Sequence, residues 1–555
     1  MDGGVNPART FEYEDLPYSP TIPSMWHYVV EHHADNDLVV SLTDSGSSER
    51  ITYRDADRLS AELARSLLAG GVGKGTRVGI LAPNGPDFLV AFLATTRIGA
   101  VAVPVNTFFQ PPELGWILRH ADVHTLLTVP TLLGHDVLAR IESAVPGLAD
   151  AGAGPHRLRS TPALRHVTVL GDGTGRSWVD PPADPVSEEM LAATESAVRE
   201  ADELMVIYTS GSTAEPKGII HEHGPAVRHS QFISAQHEWD PSDRVYIPMA
   251  FFWVGGLVFG VLGPMQIGVT IVTEHRFEPG PVLGLLARER VTYATGFPHV
   301  GPALASHPDF ASTDLSSIRG GYQPVLVPEE NRPPDPTLRV AQLGMTETCS
   351  SHTWWPPHES VAPEQRGSLG VSGPGFEHKV IDDEGRTVEP GVIGEICVRG
   401  QALMRGMVGR SRTEVFDRDG WYHTGDSGSI AADGHLYFAG RTDDMIKTSG
   451  ANVAPIEVEG ILSAMDEVRV AYVVGVQDPD KGAVVTAAVV LVPGAEVEPD
   501  ELRARCREQL AAYKVPKRWI MLPDADPLPY TSTNKIDKRA LVQLIDDGRL
   551  EPVDA

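Results

Sequence analysis

Leu59, Leu63 and Leu67 recur every four residues and stop at Gly70-Gly71, the spacing of one buried helical face with a glycine end. Residues 78–81 and 101–105 are short apolar runs that predict buried strands, and 88–98 between them predicts a helix. Residues 113–120 and 126–129 repeat the alternation. Strand, helix, strand over 26–129 predicts βαβ units around a parallel sheet, hence an α/β fold. Apolar runs at 204–207 and 246–249 read as further strands. Between 145 and 188 the composition turns to Pro, Gly, Ala and Asp around one apolar run at 167–170, which predicts a surface excursion. Towards the C-terminus, 470–474 and 484–492 predict strands and 501–510 an amphipathic helix.

Length turns one core into several, since 555 residues exceed the roughly 100–200 of a single domain. A net charge of −28 argues against a nucleic-acid partner, because neutralising phosphates needs basic surface. Cys349, Cys397 and Cys506 are far apart and odd in number, which points to a reducing compartment rather than a disulfide framework. Residues 1–23 hold acids and prolines without an apolar signal core, and no run of about 18 apolar residues occurs anywhere. The expectation is a cytoplasmic protein with no membrane partner.

Candidate chemistry begins at residues 208–218, Tyr-Thr-Ser-Gly-Ser-Thr-Ala-Glu-Pro-Lys-Gly, just after the run at 204–207. Small hydroxyl residues and glycines before a lysine make a loop whose backbone N–H groups can face anionic oxygens, with Lys217 adding a mobile charge. The same composition suits a flexible turn, and the Walker spacing G-x-x-x-x-G-K-[ST] is missing. His221-Glu222-His223 follows, but no further ligand is spaced to complete a zinc site. Ala250-Phe251-Phe252-Trp253-Val254-Gly255-Gly256 mixes large rings with glycines, a composition that walls an apolar pocket or fills a core at a tight helix start. Thr346-Glu347 offers a carboxylate for Mg²⁺ beside phosphates, although a Thr-Glu pair is also common at helix starts.

Five segments, in order, resemble the signatures of the adenylate-forming superfamily: acyl-CoA synthetases, luciferases and peptide-synthetase adenylation domains. Residues 208–218 are similar to T-S-G-T-T-G-x-P-K-G, with Ala214 in place of a glycine. Residues 342–348, Gln-Leu-Gly-Met-Thr-Glu-Thr, are similar to Y-G-x-T-E, with Leu343 in place of the tyrosine. Trp421-Tyr422-His423-Thr424-Gly425-Asp426 matches the T-G-D segment, and the stretch from Gly440 to Glu459 is the longest continuous likeness. Pro529 to Leu541 resembles P-x-T-x-x-G-K-I-x-R, with Asn534 for a glycine, a change that left-handed backbone tolerates. His223 falls at the family's loop-following histidine, and Gly320-Gly321-Tyr322-Gln323-Pro324 stands where the family shows G-G-A-P beside adenine.

This resemblance implies a large N-terminal domain of βα-layered subdomains, 24–442, after a flexible leader, 1–23, and a small mobile α+β domain, 443–555. It implies Lys535, Glu347 and Thr346 as catalytic, Glu347 holding Mg²⁺. ATP and AMP would lie against Thr209, Ser210, Gly211, Ser212, Thr213, Lys217, Gly321, Tyr322, Gly344, Met345, Asp426 and Arg441. The acid would be lined by Phe251, Phe252, Trp253, Gly255, Gly256, Gly320 and Leu343. Coenzyme A would run past Ser449, Gly450 and Ala451, with Asp443 as the hinge.

The implied reaction is that of an acyl-CoA ligase: an apolar acid and ATP give acyl-AMP and pyrophosphate, and the coenzyme A thiol then displaces AMP. An amino acid is disfavoured, because 250–256 has no aspartate for its ammonium, and a buried unpaired ammonium is costly. Alternatives are an enzyme that loads a carrier protein, a silent nucleotide-binding scaffold, and a ligase impaired in adenylation by Ala214. Alanine in place of a left-handed glycine costs on the order of 1–2 kcal/mol. The scaffold is disfavoured because Lys535 and Asp443 are retained.

Overall fold

The computed structural model describes residues 16–171, 176–179, 184–209, 216–297, 299–329, 332, 335, 338, 340–355, 361–441, 444–448, 451–478, 482–510, 514–522, 527–531 and 535–554. These fall into two compact units, 16–376 with 399–418, and 377–398 with 419–554.

In the larger unit the predicted alternation appears almost element for element. The helix Tyr53–Ala69 starts where the Thr52 hydroxyl accepts the Asp55 N–H and ends at Gly70, and it buries Ala64 and Leu67. The strand Arg77–Leu81, the helix Pro86–Arg97 and the strand Val101–Pro104 follow, with the two strands parallel. Among the described residues, a seven-stranded sheet runs in the order Gly406–Met407, Lys217–Glu222, Glu203–Thr209, Val101–Pro104, Arg77–Leu81, Thr125–Thr128, His166–Val169. A six-stranded sheet has the order Gly320–Gly321, Tyr293–Ala294, Arg244–Tyr246, Thr270–Glu274, Asp37–Leu42, Ser48–Thr52. Each is parallel through its middle and antiparallel at one end. Helices cover such sheets because a parallel crossover must return across a face.

Three sequence expectations need correction. Val145, Leu148, Leu164, Val167 and Trp178 are buried in one core, so 145–188 is not wholly a surface excursion. Its apolar residues are too sparse for periodicity, yet each docks singly, and the Trp178 indole N–H also donates to Glu142 at 2.7 Å. The strand expected at 246–249 ends at Tyr246, before Pro248. Ile22 and Pro23, within the expected leader, are buried and open the helix Ile22–His33.

The smaller unit contains a four-stranded sheet in the order Phe376–Ile381, Gly394–Gly400, Tyr422–Ile430, Leu436–Arg441. A second sheet is centred on Gly482–Leu491, which pairs with Val468–Asp478 on one side and Arg518–Leu522 on the other. Its faces bury two apolar clusters, one with Val458, Leu462, Leu502 and Trp519 and the other with Leu541 and Ile545, under the helices Pro455–Ser463, Pro499–Gln509 and Lys538–Asp546. Among the described residues no helix is long and apolar enough to cross a membrane.

Four buried histidines of the larger unit, His221, His223, His229 and His237, have pKa values pushed down to about 4, chiefly by desolvation. Each is protonated in the unfolded chain below its ordinary 6.5 but stays neutral when folded, so folding stability falls as pH drops from about 6.5 towards 4. Buried Glu274 has the opposite sign, because desolvation raises its pKa from 4.5 to about 8 and it weakens the fold as pH rises between those values. Buried His378, also pushed down by desolvation, joins these four against Glu274 below pH 6.5, and above it both Glu274 and His27, raised chiefly by its hydrogen bond to Glu195, weaken the fold as pH rises. The urea midpoint is therefore expected to peak near pH 6.5 and fall towards pH 5. His229→Phe keeps a ring between Phe232 and Phe376 and should flatten the acid limb.

Candidate active site

The phosphate-type loop is rooted in the buried strand pair of the larger unit. Glu203–Thr209 is buried from Leu204 to Tyr208, and Lys217–Glu222 returns beside it with Lys217 opposite Thr209. Thr209 and Lys217 therefore stand together at the base of the loop. Ser210, Gly211, Ser212 and Thr213, like Ala214, lie outside the described residues. Gly218 is obligatory, since a Cβ there would lie 2.8 Å from the Tyr208 ring and 3.0 Å from Val408. Lys217 also lines a cavity of about 190 Å³ with Trp116, His120 and Arg410.

His221 ties this strand pair to the Thr346 turn, its Nε2–H donating to the Thr346 carbonyl at 2.8 Å. Gly344–Met345 pairs with Ser350–Ser351, so Thr346 and Glu347 sit at the tip of a tight reversal. Glu347 is only 9% exposed, and its carbonyl accepts the Met404 N–H at 2.7 Å. The reversal is strained: Cys349 has φ 60° and Ser350 φ 140°, conformations that non-glycine residues hold only where the surroundings over-determine them. A largely buried carboxylate is the donor type that Mg²⁺ prefers. Leu343 anchors the turn through its backbone, its N–H donating to the Thr353 hydroxyl at 2.7 Å.

The apolar segment after Tyr246 is fixed by a residue that the motifs do not mark. The Asn84 side chain donates to the Met249 carbonyl at 3.0 Å and accepts the Phe251 N–H at 2.8 Å. The only sequence signal for Asn84 is the Asn-Gly turn pair it forms with Gly85. Phe251 is buried against Phe88. Phe252 meets Phe108 and Trp253, and Trp253 meets Phe297, with ring centroids 5.0–6.5 Å apart. Phe108 and Phe297 are 46% and 40% exposed, so the row of rings reaches solvent at both ends. The chain then enters a π-helix, Gly255–Leu262, a wide turn that is frequent at functional sites.

Gly320 and Gly321 form the edge strand beside Tyr293–Ala294. The Tyr322 side chain is half-buried, and its hydroxyl is 2.8 Å from His237 Nε2. His237 donates Nδ1–H to the Ile233 carbonyl at 2.8 Å, so Nε2 accepts the tyrosine proton.

In the smaller unit, Asp426 lies on a bulge. Between Glu395 and Cys397 one strand advances two residues while its partner advances four, from Ser427 to His423, and the surplus carries Thr424, Gly425 and Asp426. Gly425 takes φ 69°. Glu395, another residue that the motifs missed, accepts the Gly425 N–H at 3.0 Å. Arg441 pairs with Asp426 at 2.7 Å and also donates to the Thr424 carbonyl at 3.2 Å. Lys535 is exposed on a turn closed by the Thr531 N–H to the Lys535 carbonyl, 2.8 Å. Ala451 opens the strand Ala451–Val453, which pairs with Ile446–Thr448. Asp443, Ser449 and Gly450 lie outside the described residues.

Comparison with known proteins identifies the family. Residues 26–408 match the AMP-binding enzyme family and residues 457–535 match the AMP-binding enzyme C-terminal domain. A feruloyl-CoA synthase of an Amycolatopsis species is 33% identical over 494 residues, 88% of this chain and 92% of that one. The long-chain-fatty-acid–CoA ligase FadD13 of Mycobacterium tuberculosis is 29% identical over 510 residues, 89% and 92% of the two chains. The crystal structure of an anthranilate CoA ligase in complex with anthranoyl-AMP superposes with a TM-score of 0.78 at 25% identity, covering 97% of this chain and all of that one. The chain belongs to the AMP-binding enzyme family, among its AMP-forming acid–thiol ligases.

The two adjacent glycines of the π-helical entry should respond differently to substitution. A Cβ on Gly256 would stand 2.0 Å from the Ala250 carbonyl oxygen, whereas on Gly255 it would meet only the Met249 sulfur at 3.5 Å. Gly256→Ala is expected to destabilise by about 3 kcal/mol or more, and Gly255→Ala by less than about 1 kcal/mol, in matched urea titrations.

Proposed function

We propose that this enzyme joins an apolar carboxylic acid to coenzyme A through an acyl-adenylate. The row of rings Phe108, Phe252, Trp253 and Phe297 carries the substrate class, since it offers an apolar acid a continuous aromatic surface with solvent-exposed ends. Residues 250–256 contain no carboxylate, so an amino acid's ammonium would be desolvated there without a partner. Ferulate, anthranilate and long-chain fatty acids, for which the relatives are named, all have large apolar bodies and support the same class.

In the first step a carboxylate oxygen attacks the α-phosphorus of ATP and pyrophosphate leaves, a displacement that needs charge stabilisation more than acid or base. Lys535 would neutralise charge between carboxylate and α-phosphate. Glu347, beside Thr346, would hold Mg²⁺, which lowers the charge on the leaving group when bound. Thr209 to Thr213 and Lys217 would hold the β- and γ-phosphates, and Asp426 with Arg441 the ribose. In the second step the coenzyme A sulfur attacks the acyl carbon and AMP leaves, with Ser449, Gly450 and Ala451 against the pantetheine arm. A rotation about Asp443, at the boundary between 24–442 and 443–555, would exchange Lys535 for that segment.

Ala214 favours a second reading, in which adenylation is weak and the enzyme chiefly makes thioesters from acyl-adenylate. One comparison separates the two: pyrophosphate release across a panel of acids against thioester formation from synthetic acyl-AMP, followed by mass spectrometry with coenzyme A or a carrier protein as acceptor. The main reading expects matched rates, bulky apolar acids preferred over acetate, and coenzyme A as acceptor. A slow first half-reaction that recovers in Ala214→Gly supports the second reading. No thioester from any acid, or preference for a carrier, refutes the main one. Lys535→Ala is expected to slow pyrophosphate release by at least about 100-fold, the scale of losing one charge-stabilising group. Thioester formation from preformed acyl-AMP should stay within a few-fold of wild type.

A further inference from the structure

Glu395, Cys397 and His423 form a mixed cluster on the smaller unit that the proposed chemistry does not use. Cys397 and His423 face each other across adjacent antiparallel strands, and Glu395 stands two residues before Cys397 on the same strand. One ligating atom from each lies within 4.8 Å of the other two, and His423 Nδ1 is 3.0 Å from a Glu395 carboxylate oxygen. Zinc bonds of 2.0–2.3 Å put neighbouring tetrahedral ligand atoms roughly 3–4 Å apart, so small side-chain adjustments would close this set on one ion.

From this geometry we propose that Glu395, Cys397 and His423 constitute a Zn²⁺ site, with water in the fourth position. A thiolate, a carboxylate and a neutral imidazole carry two negative charges, which balance a divalent cation. Sulfur and nitrogen donors select zinc over Mg²⁺ or Ca²⁺. Cys397 is fully buried beside Ile381 and Trp421, which shields the sulfur. The His423 and Glu395 side chains are 44% and 26% exposed, which leaves an entry path and room for the water. The other Glu395 oxygen accepts the Gly425 N–H at 3.0 Å, so a bound ion would clamp the strands on both sides of the bulge that carries Asp426.

The test uses the full chain without a polyhistidine tag, stripped of metal by a chelator and titrated with Zn²⁺ against a chromophoric competitor and, separately, with Co²⁺. The expected result is one tight Zn²⁺ per chain and a thiolate-to-Co²⁺ charge-transfer band in the near ultraviolet. Cys397→Ser should abolish the band. Cys397→Ser and His423→Ala should each weaken Zn²⁺ binding by at least about 100-fold, since even outer-shell partners are worth 10–100-fold. Absence of the thiolate band in the wild-type chain overturns the proposal whatever the variants do. Zn²⁺ affinity unchanged in a folded Cys397→Ser or His423→Ala chain overturns it as well.

Discussion

The larger unit depends on one antiparallel return at the end of a parallel sheet. Lys217–Glu222 lies between Glu203–Thr209 and Gly406–Met407, so both of its backbone edges are used. Side chains at its end reach further: His221 holds the Thr346 carbonyl, and His223, the first residue after the strand, accepts the Ile22 N–H at 3.1 Å. A buried imidazole is suited to such a junction because it joins backbone groups without bringing a charge into the core. Residues 217–223 thereby fix the base of a glycine-rich loop, the position of a glutamate turn and the docking of the first described helix.

Much of this was legible in the sequence because strand, helix and strand repeat with clean periods, and because the loop, T-G-D and terminal lysine segments are short and local. What escaped was long-range. Asn84 clamps a segment 165 residues away, and no periodicity announces a side chain whose partners are backbone groups in a distant loop. Trp178 sits in a stretch that composition assigns to the surface and is buried nonetheless, since one indole can dock on a core without rhythmic neighbours. Tyr322 lies where the motif predicts a nucleotide contact, and nothing local announces that its hydroxyl also meets His237, 85 residues earlier. A motif marks where the backbone goes and leaves open which way a ring will point.

The smaller unit uses irregularity in another way. Asp426 does not continue its strand's alternation; it is lifted out by a bulge whose rim is tied by Glu395, Thr424 and Arg441. Bulges are suited to re-aiming a functional side chain because the rest of the ladder stays in register. Glu395 therefore stands at a junction between backbone shape and the cysteine–histidine pair beside it.

The π-helix at Gly255–Leu262 holds about one more residue per turn than an α-helix. Residues before it face the aromatic row, and residues after it pack into the core. Loss of a single codon within the wide turn would return it to α-helical winding while turning the preceding rings by about 100°. The orientation of these rings can therefore change through length variation of one residue, a route that substitution of the rings themselves does not offer.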